Sequence, residues 1–223
     1  SENLFKGLSP WMQKLPGGLI HVNVVGCALF AAISGSSAAT VATVGKMSIP
    51  ELRKRNYPEK ILLGSLAGSG TLGLLIPPSI ILIIYGVAVQ ESIAKLFIAG
   101  ILPGIMIALI FMSYVIFWSL INKKQMPKII EEYSIFEKIK RSKQLLPVIF
   151  LISAVIGSIY TGIATATEAA SLGVVGALIL SYFQKSLTLE TFKTSLLGAT
   201  KTSCMIAFIL AGSTFLSLAM GFT

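Results

Sequence analysis

Residues 34–40 read Ser-Gly-Ser-Ser-Ala-Ala-Thr, a small polar cluster inside a run, residues 15–45, that contains no Lys, Arg, Asp or Glu. An uncharged run of that length is too long for a buried core helix and indicates a membrane-embedded segment. The arm before the cluster, residues 19–33, would rise only about 22 Å as a helix, against about 30 Å of hydrocarbon. Two short arms that meet at this cluster predict a re-entrant helical hairpin over 19–47. Backbone unwinds at such a depth only beside protein or a water-filled cavity, so the hairpin tip is a candidate binding site.

The composition indicates an all-α, polytopic membrane protein. Of the 223 residues, 54% are hydrophobic and 12% are charged, about half the charged fraction of soluble domains, and the mean hydropathy is +0.84. The net charge of +9 does not indicate nucleic acid, because the basic residues are confined to short connectors, as in cytoplasmic loops that face anionic lipid. Cys27 and Cys204 lie in apolar segments and are predicted to be packed thiols. With one His, no Asp and no phosphate-binding loop, the sequence offers no catalytic set, and we expect no enzyme.

A second uncharged run, residues 61–90, is also interrupted. Gly68, Gly70 and Gly73 precede Pro77-Pro78-Ser79, and proline both blocks a continuing helix and pushes the preceding residue towards extended backbone. We therefore predict a discontinuous transmembrane helix over 59–88, with helix over 59–69, an unwound centre over 70–78 and a second half-helix over 79–88. Such a break leaves carbonyl groups and a half-helix amino terminus free near the bilayer midplane.

The remaining segments follow from apolar runs and connectors. If the hairpin re-enters, every strongly basic connector falls on one face, which the positive-inside rule makes cytoplasmic. The predicted segments are an interfacial lead-in over 1–18, a basic connector over 46–60 with turns at Pro50 and Pro58, a surface helix and a transmembrane helix over 91–122 (helix over 91–99, span over 101–121), a cytoplasmic connector over 123–144, and three further transmembrane helices within 145–221 (145–160, 169–183 and 202–221).

The tip and the break each have two interpretations. Small residues let membrane helices pack closely, and one proline often only kinks a helix. Three small polar residues between half-length arms, and a double proline after four glycines, favour a binding site in both cases. Hydroxyl and carbonyl oxygens are hard donors that suit Na⁺, and helix amino termini favour a carboxylate. The predicted site residues are Ser34, Gly35, Ser36, Ser37, Thr40, Gly70, Thr71, Gly73, Pro77, Pro78 and Ser79, with Na⁺ expected at Ser34, Gly35, Ser36, Gly70, Thr71 and Gly73, and side-chain contact first at Ser36 and Ser37.

Three other polar features are predicted to be structural. Glu168 could be an intramembrane carboxylate, but Thr165 or Thr167 can cap the following helix and Glu in the first turn complements its dipole. His21 is predicted to be a packing or interfacial residue. The basic residues 53–55 are predicted to be a solvated topology signal.

The quoted motifs resemble the large membrane subunit of tripartite ATP-independent periplasmic (TRAP) transporters. The resemblance covers most of the chain and departs from the family pattern at Ala166, where the family commonly has proline. The residues that carry it are Gly17-Gly18-Leu19, Leu29-Phe30, residues 33–40, Gly45, Gly73, residues 75–79, Ser92-Ile93, residues 96–100, Pro103-Gly104, Gly162, Thr165, Thr167 and residues 168–170.

The resemblance implies Na⁺-coupled secondary active uptake of an organic acid, such as a C4-dicarboxylate or sialic acid, in the bacterial inner membrane. It implies a periplasmic binding protein that delivers the substrate, a small membrane subunit, separate or fused, and no cofactor beyond Na⁺ as coupling ion. It also implies half of an inverted-repeat, elevator-type transporter, so the chain is expected to be a central fragment with one of two half-sites. The alternative is a non-transporting membrane scaffold or assembly subunit, in which the small residues serve packing alone.

Overall fold

The computed structural model describes residues 2–127, 134–143 and 145–221, except for the side chains of residues 2–4 and 6. Within these ranges the regular structure is helical and there is no strand, which confirms the all-α class. Residues 128–133 and 144 of the predicted cytoplasmic connector lie outside the described part. The helices are α1 (Glu2–Met12), α2 (His21–Ser34), α3 (Ser37–Lys54), α4 (Glu59–Gly70), α5 (Ile80–Val89), α6 (Ile93–Ile121), α7 (Ile135–Ser142), α8 (Leu146–Tyr160), α9 (Ala166–Phe183) and α10 (Leu189–Gly221).

The chain divides into two compact units, residues 1–169 and residues 170–223. By length and hydropathy, α6, α9 and α10 could each cross a membrane, and α7 with α8, bent by 56°, could form a fourth span. These helices are those of a multi-pass membrane protein. Both predicted breaks lie in the first unit.

A helical hairpin forms the start of the first unit. Gly35 ends α2 in the left-handed region, at φ 58°, and its N–H donates to the Ala31 carbonyl at 2.9 Å. Ser36 is extended and caps α3, because its Oγ accepts the Ala39 N–H at 3.4 Å. At the other end, the Leu19 N–H donates to the Tyr57 hydroxyl at 3.0 Å. Both arms therefore return to one end, which we call the base, and residues 34–40 form the tip.

The next helix is interrupted where the sequence predicts. After α4 ends, a 3₁₀ turn covers Thr71–Leu74 and irregular backbone continues to Ser79, and α5 begins at Ile80. We call residues 71–79 the break. Its end is closed by the Ser79 hydroxyl, which donates to the Leu74 carbonyl at 2.7 Å.

Helix α6 runs back along α5 and α4 to the base. Its 29 residues would extend about 43 Å, whereas the 14 residues of α2 extend about 21 Å, so the hairpin accompanies only part of α6. The order of its neighbours shows the direction: Phe97 clusters with Leu82, Gly100 faces Leu75, Gly104 faces Ile76, Gly68 faces Phe111, and Val115 clusters with Ile20 and Ile61 at the base.

Two interruptions that the sequence predicts, a turn at Pro50 and a boundary between helices near residue 100, are helical in the structure. The expected connector over 46–60 is helical to Lys54 with Pro50 inside α3, and the separate surface helix over 91–99 is part of α6, which continues through Pro103. A proline removes one backbone hydrogen bond, and packing on the same helix can outweigh that loss. Leu52, two residues after Pro50, is fully buried, and Gly100 and Gly104 lie against the break on either side of Pro103.

The predicted lead-in is α1, which packs into protein at the base. Phe5 and Leu8 are buried with Leu19, Leu52 and Leu62, whereas Trp11 stays exposed. The apolar side of α1 thus contacts the hairpin base instead of a bilayer at these two positions.

In the second unit, the last helix is longer than predicted. The sequence predicts a connector up to residue 201 and a span over 202–221, but α10 is one helix of 33 residues. The actual turn lies at Lys185, whose φ is 54°, and Thr188 then caps the helix by accepting the Thr191 N–H at 3.1 Å.

Candidate functional site

The tip and the break lie directly against each other. The Ile80 N–H, at the first residue of α5, donates to the Gly35 carbonyl at 3.1 Å. This bond joins the residue that ends α2 to the residue that begins the second half-helix. The two interruptions are therefore one structural junction, which we call the tip–break junction.

Glycines allow the backbones to meet at this junction. A Cβ on Gly35 would lie 2.6 Å from the Pro78 carbonyl oxygen. A Cβ on Gly73 would lie 2.8 Å from the Ser37 nitrogen and 2.9 Å from the Ser36 carbonyl carbon, and one on Gly70 would collide with the Val41 side chain. Distances under 3.0 Å to backbone atoms leave no room for a side chain, so Gly35 and Gly73 are required for this contact, whereas Gly70 faces a side chain.

Hydroxyl groups gather at the tip side of the junction. The Ser34 Oγ lies 2.9 Å from the Thr40 Oγ1, and it also donates to the Ser36 carbonyl at 3.3 Å. The Ser37 Oγ is buried and has no hydrogen-bond partner within the described structure. The tip therefore holds hydroxyl and carbonyl oxygens, and one of the hydroxyl groups has unused hydrogen-bonding capacity.

Four helix ends converge at the junction. Helix α2 ends there at Ser34, and the 3₁₀ turn that follows α4 ends there at Leu74, so both bring partial negative charge. Helices α3 and α5 begin there, at Ser37 and Ile80, and bring partial positive charge. Residues 34–40 and 70–80 contain no charged side chain. The junction consequently offers both signs of helix dipole without a fixed charge.

Not every predicted site residue faces the junction. Thr71 is exposed, and its Oγ1 donates to the Gly68 carbonyl of its own helix at 2.7 Å. Ser79 and Pro77 are buried in the turn of the break, where the Ser79 hydroxyl is already bonded to Leu74. The structure thus brings together Ser34, Gly35, Ser36, Ser37, Thr40, Gly70, Gly73 and Pro78, while Thr71, Pro77 and Ser79 shape the break.

The sequence reasoning missed the part of α6 that supports the break. A Cβ on Gly100 would lie 2.7 Å from the Leu75 carbonyl oxygen, and one on Gly104 would lie 3.0 Å from the Ile76 Cγ1. These two glycines form a Gly-x-x-x-Gly motif, the spacing that brings membrane helices into close contact, so the signal was present in the sequence.

A polar seam between α2 and α4 was missed as well. The Asn23 Nδ2 donates to the Leu62 carbonyl at 3.2 Å and to the Ser65 Oγ at 3.0 Å, and the Ser69 Oγ donates to the Ser65 carbonyl at 2.6 Å. Asn23 and Ser69 are fully buried. An Asn in an apolar run is the signal that could have revealed this seam, because such residues in membrane segments need partners.

Two polar residues predicted to be structural are structural. The Glu168 carboxylate accepts the Thr165 N–H and the Thr165 hydroxyl, both at 2.8 Å, and the Thr165 Oγ1 accepts the Glu168 N–H at 3.3 Å. This is a capping box, and Thr165 is the residue that makes it. His21 is fully buried in the hairpin base, with its Nε2 at 2.8 Å from the Pro16 carbonyl.

The basic base of the hairpin forms surface ion pairs. The Arg53 Nε donates to the Glu59 Oε1 at 2.6 Å, which raises the pKa of the guanidinium, and Arg55 pairs with Glu51 at 3.0 Å. Burial raises the pKa of the Tyr57 phenol, although the hydrogen bond from the Leu19 N–H to its oxygen acts in the opposite direction.

The two cysteines, both predicted to be packed thiols, differ in the structure. Cys27 is buried as predicted, but Cys204 is exposed in its unit.

Comparison with known proteins identifies the family. The sequence profile described as "Tripartite ATP-independent periplasmic transporter, DctM component" matches residues 2–223. The "C4-dicarboxylate TRAP transporter large permease protein DctM" of Pseudomonas aeruginosa is 37% identical over 198 residues, which cover 88% of this chain and 46% of that protein. The "Sialic acid TRAP transporter large permease protein SiaM" of Vibrio cholerae is 33% identical and covers 96% of this chain and 50% of that protein.

A third relative is named DctMQ instead of DctM. The "Isethionate TRAP transporter permease protein DctMQ" of Oleidesulfovibrio alaskensis is 34% identical over 96% of this chain and 34% of that protein. The chain spans about half the length of the large permease relatives that it matches. The match over nearly all its residues shows that this multi-pass membrane chain belongs to the DctM component family of tripartite ATP-independent periplasmic transporters.

Proposed function

We propose that the chain supplies one half-site of a Na⁺-coupled secondary transporter that takes up an organic acid delivered by a periplasmic binding protein. The observation that carries the proposal is the tip–break junction, where the Gly35 carbonyl and the Ile80 N–H join two interrupted helices. The names of the relatives, which include C4-dicarboxylate and sialic acid permeases, support an organic acid as the substrate class.

The proposed ion site uses the oxygens of the tip. Carbonyl groups at unwound backbone and half-helix carboxyl ends coordinate Na⁺ in transporters with interrupted helices. The tip offers the carbonyl of Ser36 and, as further hard oxygen donors, the hydroxyl groups of Ser34, Ser37 and Thr40. Among the residues that the structure describes, the buried Ser37 hydroxyl has no hydrogen-bond partner. Gly70 and Gly73 act by letting the break approach these oxygens, and Thr71 completes the set only if its side chain turns from Gly68.

The proposed substrate contact uses the helix amino termini. Helices α3 and α5 both begin at the junction, and their partial positive charge attracts a carboxylate, although the Ile80 N–H is already bonded to Gly35 and the Ala39 N–H to Ser36. Because no charged side chain competes within residues 34–40 and 70–80, a bound Na⁺ would be the strongest positive charge near the substrate carboxylate. This arrangement couples the two ligands, since each strengthens the binding of the other.

A re-entrant position of the hairpin within the membrane is part of the proposal. Leu19 and Tyr57 meet at the base, so the two arms begin and end on one side. The tip meets the break, and the break lies opposite Gly100 and Gly104 of α6. Because α6 begins at Ile93, several of its residues lie beyond the level of the tip, on the side away from the base. If α6 spans the bilayer, the tip then lies inside it. The proposal has three further parts. The core moves as an elevator, the protein lies in the bacterial inner membrane, and a small membrane subunit accompanies it, either separate or fused, as the name of the DctMQ relative suggests.

The test is uptake by the full-length permease, reconstituted in proteoliposomes with its small subunit and binding protein. We expect uptake to require an inward Na⁺ gradient and to persist without ATP. Replacing Ser37 with Ala should raise the half-saturating Na⁺ concentration at least about tenfold, because an interaction with a charged group contributes about 1.5–3 kcal/mol.

Ser48→Ala is the matched control. Ser48 lies on the same helix, and its Oγ is also buried without a partner in the described residues, but it is remote from the tip. We expect normal Na⁺ dependence for this variant. Equal effects of the two substitutions, or normal uptake after Ser36 and Ser37 are both replaced by Leu, would contradict the assignment of the ion site.

A further inference from the structure

Helix α7 exposes its apolar side, unlike a helix on the surface of a water-soluble protein. Its large apolar side chains, Ile135, Phe136 and Ile139, are exposed by 73%, 77% and 50%. At 3.6 residues per turn they fall within an arc of about 100°. The side of α7 that contacts the protein instead carries polar residues. A helix that faces water would bury its apolar side and expose its polar side.

The polar side of α7 is attached to α1 through Trp11. The Trp11 Nε1–H donates to the Ser142 Oγ at 2.9 Å, and the Lys138 Nζ lies 5.5 Å from the centroid of the Trp11 ring. A cation this close to an indole face is attracted by the ring quadrupole. Since Phe5 and Leu8 bury α1 in the hairpin base, α7 is held there with its apolar side turned outward.

The charges of α7 lie beside its apolar arc. Lys138 and Lys140 lie within about 60° of its two edges. The only acidic residue of the helix, Glu137, is on another side and is occupied in a capping box with Ser134. A short helix with apolar residues flanked by lysines is typical of helices that lie in the surface of an anionic membrane.

The next helix continues the apolar surface. Helix α8 begins four residues after α7 ends, and its Leu146, Ile149 and Phe150 are also exposed. The chain therefore passes from a basic, amphipathic helix directly into an apolar one, at a bend of 56°. A helix in the interface followed by one that enters hydrocarbon accounts for both exposed surfaces.

We propose that α7 is a membrane-surface anchor that binds anionic phospholipid. In this proposal Ile135, Phe136 and Ile139 insert among the acyl chains, and Lys140 contacts a lipid phosphate group at the base of the hairpin, while Lys138 stays over the Trp11 ring. Trp11 binds α7 to α1, and Leu145, just after α7, packs against the cluster of Phe5 and Leu8, so the lipid surface and the hairpin base are joined at this end of the protein. The proposal concerns a surface remote from the tip–break junction and does not depend on the transported substrate.

The experiment uses the full-length permease with its small subunit, with its native cysteines replaced and a single spin label placed at residue 136, 139 or 137. It is reconstituted in vesicles of phosphatidylcholine alone or of equal parts phosphatidylcholine and phosphatidylglycerol. In the anionic vesicles we expect labels at 136 and 139 to collide with oxygen more than with a water-soluble nickel chelate, and the label at 137 to show the reverse.

Charge dependence separates lipid binding from simple burial. Lys140→Gln should lower the ratio of docked to undocked α7 by about fivefold in anionic vesicles, the effect of one basic residue near such a surface, and should have little effect in pure phosphatidylcholine. Lys95→Gln is the control and should change neither, because Lys95 is an exposed lysine in the first turn of α6, at the end of the first unit that is remote from the base.

Three results would overturn the proposal. A label at 136 shielded from both reagents would place a protein partner on this face, for which the small subunit is the first candidate. A label at 136 that prefers the nickel chelate would place α7 in water. Equal docking in both lipid compositions would remove the role of anionic phospholipid.

Discussion

Gly35 and Gly73 carry the closest backbone approaches between the tip and the break. Gly35 has a φ of 58°, which L-residues adopt only at a cost, and its missing Cβ faces the Pro78 carbonyl. Gly73 has no positive φ, so only the space beside Ser36 and Ser37 requires glycine there. The sequence alone suggests both as ligands to an ion, which stays a prediction, and the structure adds that they permit contact between two chain segments.

We expect Gly35→Ala and Gly73→Ala to destabilise the full-length permease and to abolish uptake. The left-handed backbone alone costs about 1–2 kcal/mol at position 35, and overpacking against backbone costs about 1–3 kcal/mol at either position. Thermal unfolding in detergent and uptake in proteoliposomes measure the two effects.

Gly64→Ala is the control for this pair. Gly64 lies inside α4, and a Cβ there would have no neighbour within 4 Å. Since alanine favours a helix over glycine by about 1 kcal/mol, this variant should be as stable as the parent or more so. A similar loss of stability in all three variants would show that the loss does not come from the tip–break contact.

Between elements, the Asn23 seam ties the first arm of the hairpin to α4. Asn23→Leu keeps the approximate size but removes the bonds to the Leu62 carbonyl and the Ser65 hydroxyl. We expect the free energy of unfolding in bicelles to fall by about 0.6–1.7 kcal/mol, the range found for hydrogen bonds between membrane helices.

The control for the seam is Asn122→Leu. The Asn122 amide donates at 3.0 Å to Trp118, which belongs to the preceding turn of the same chain segment. Its loss should affect only the end of α6, with a smaller change in unfolding free energy. If both variants lose the same stability, the seam does not hold α2 to α4 and the packing of Val22, Val24 and Leu62 must do so alone.

Helix breaks could be predicted from the sequence, but helix continuations at proline could not. The breaks at Gly35-Ser36 and at residues 71–79 combine several local signals, namely small polar residues, glycines and a double proline, and these signals agree. Pro50 and Pro103 are single prolines, and whether a helix continues through one depends on distant packing, here of Leu52 and of Gly100 and Gly104. Helix α7 has eight residues, too few for its periodicity to stand out in a polar connector.

For the molecule as a whole, the first unit segregates its charges by end. Six basic residues lie at the base, namely Lys14, Arg53, Lys54, Arg55, Lys123 and Lys124. At the opposite end, near the ends of α5, α6 and α8 that are remote from the base, lie Glu91, Lys95 and Glu168. The positive-inside rule then predicts that the base faces the cytoplasm. The sequence predicts this from the order of connectors, and it depends on the hairpin not crossing the bilayer.

Cysteine accessibility in intact cells tests that topology. In a cysteine-free full-length permease, Lys14→Cys and Lys54→Cys lie before and after the hairpin, and both side chains are exposed. We expect both to be protected from an impermeant maleimide added outside and to react once the membrane is permeabilised. Glu91→Cys and Ile163→Cys, also exposed, serve as the opposite pair and should react from outside. If residues 14 and 54 react from opposite sides, α2 and α3 together cross the bilayer once instead of re-entering. The hairpin topology, on which the proposed ion site depends, would then be wrong.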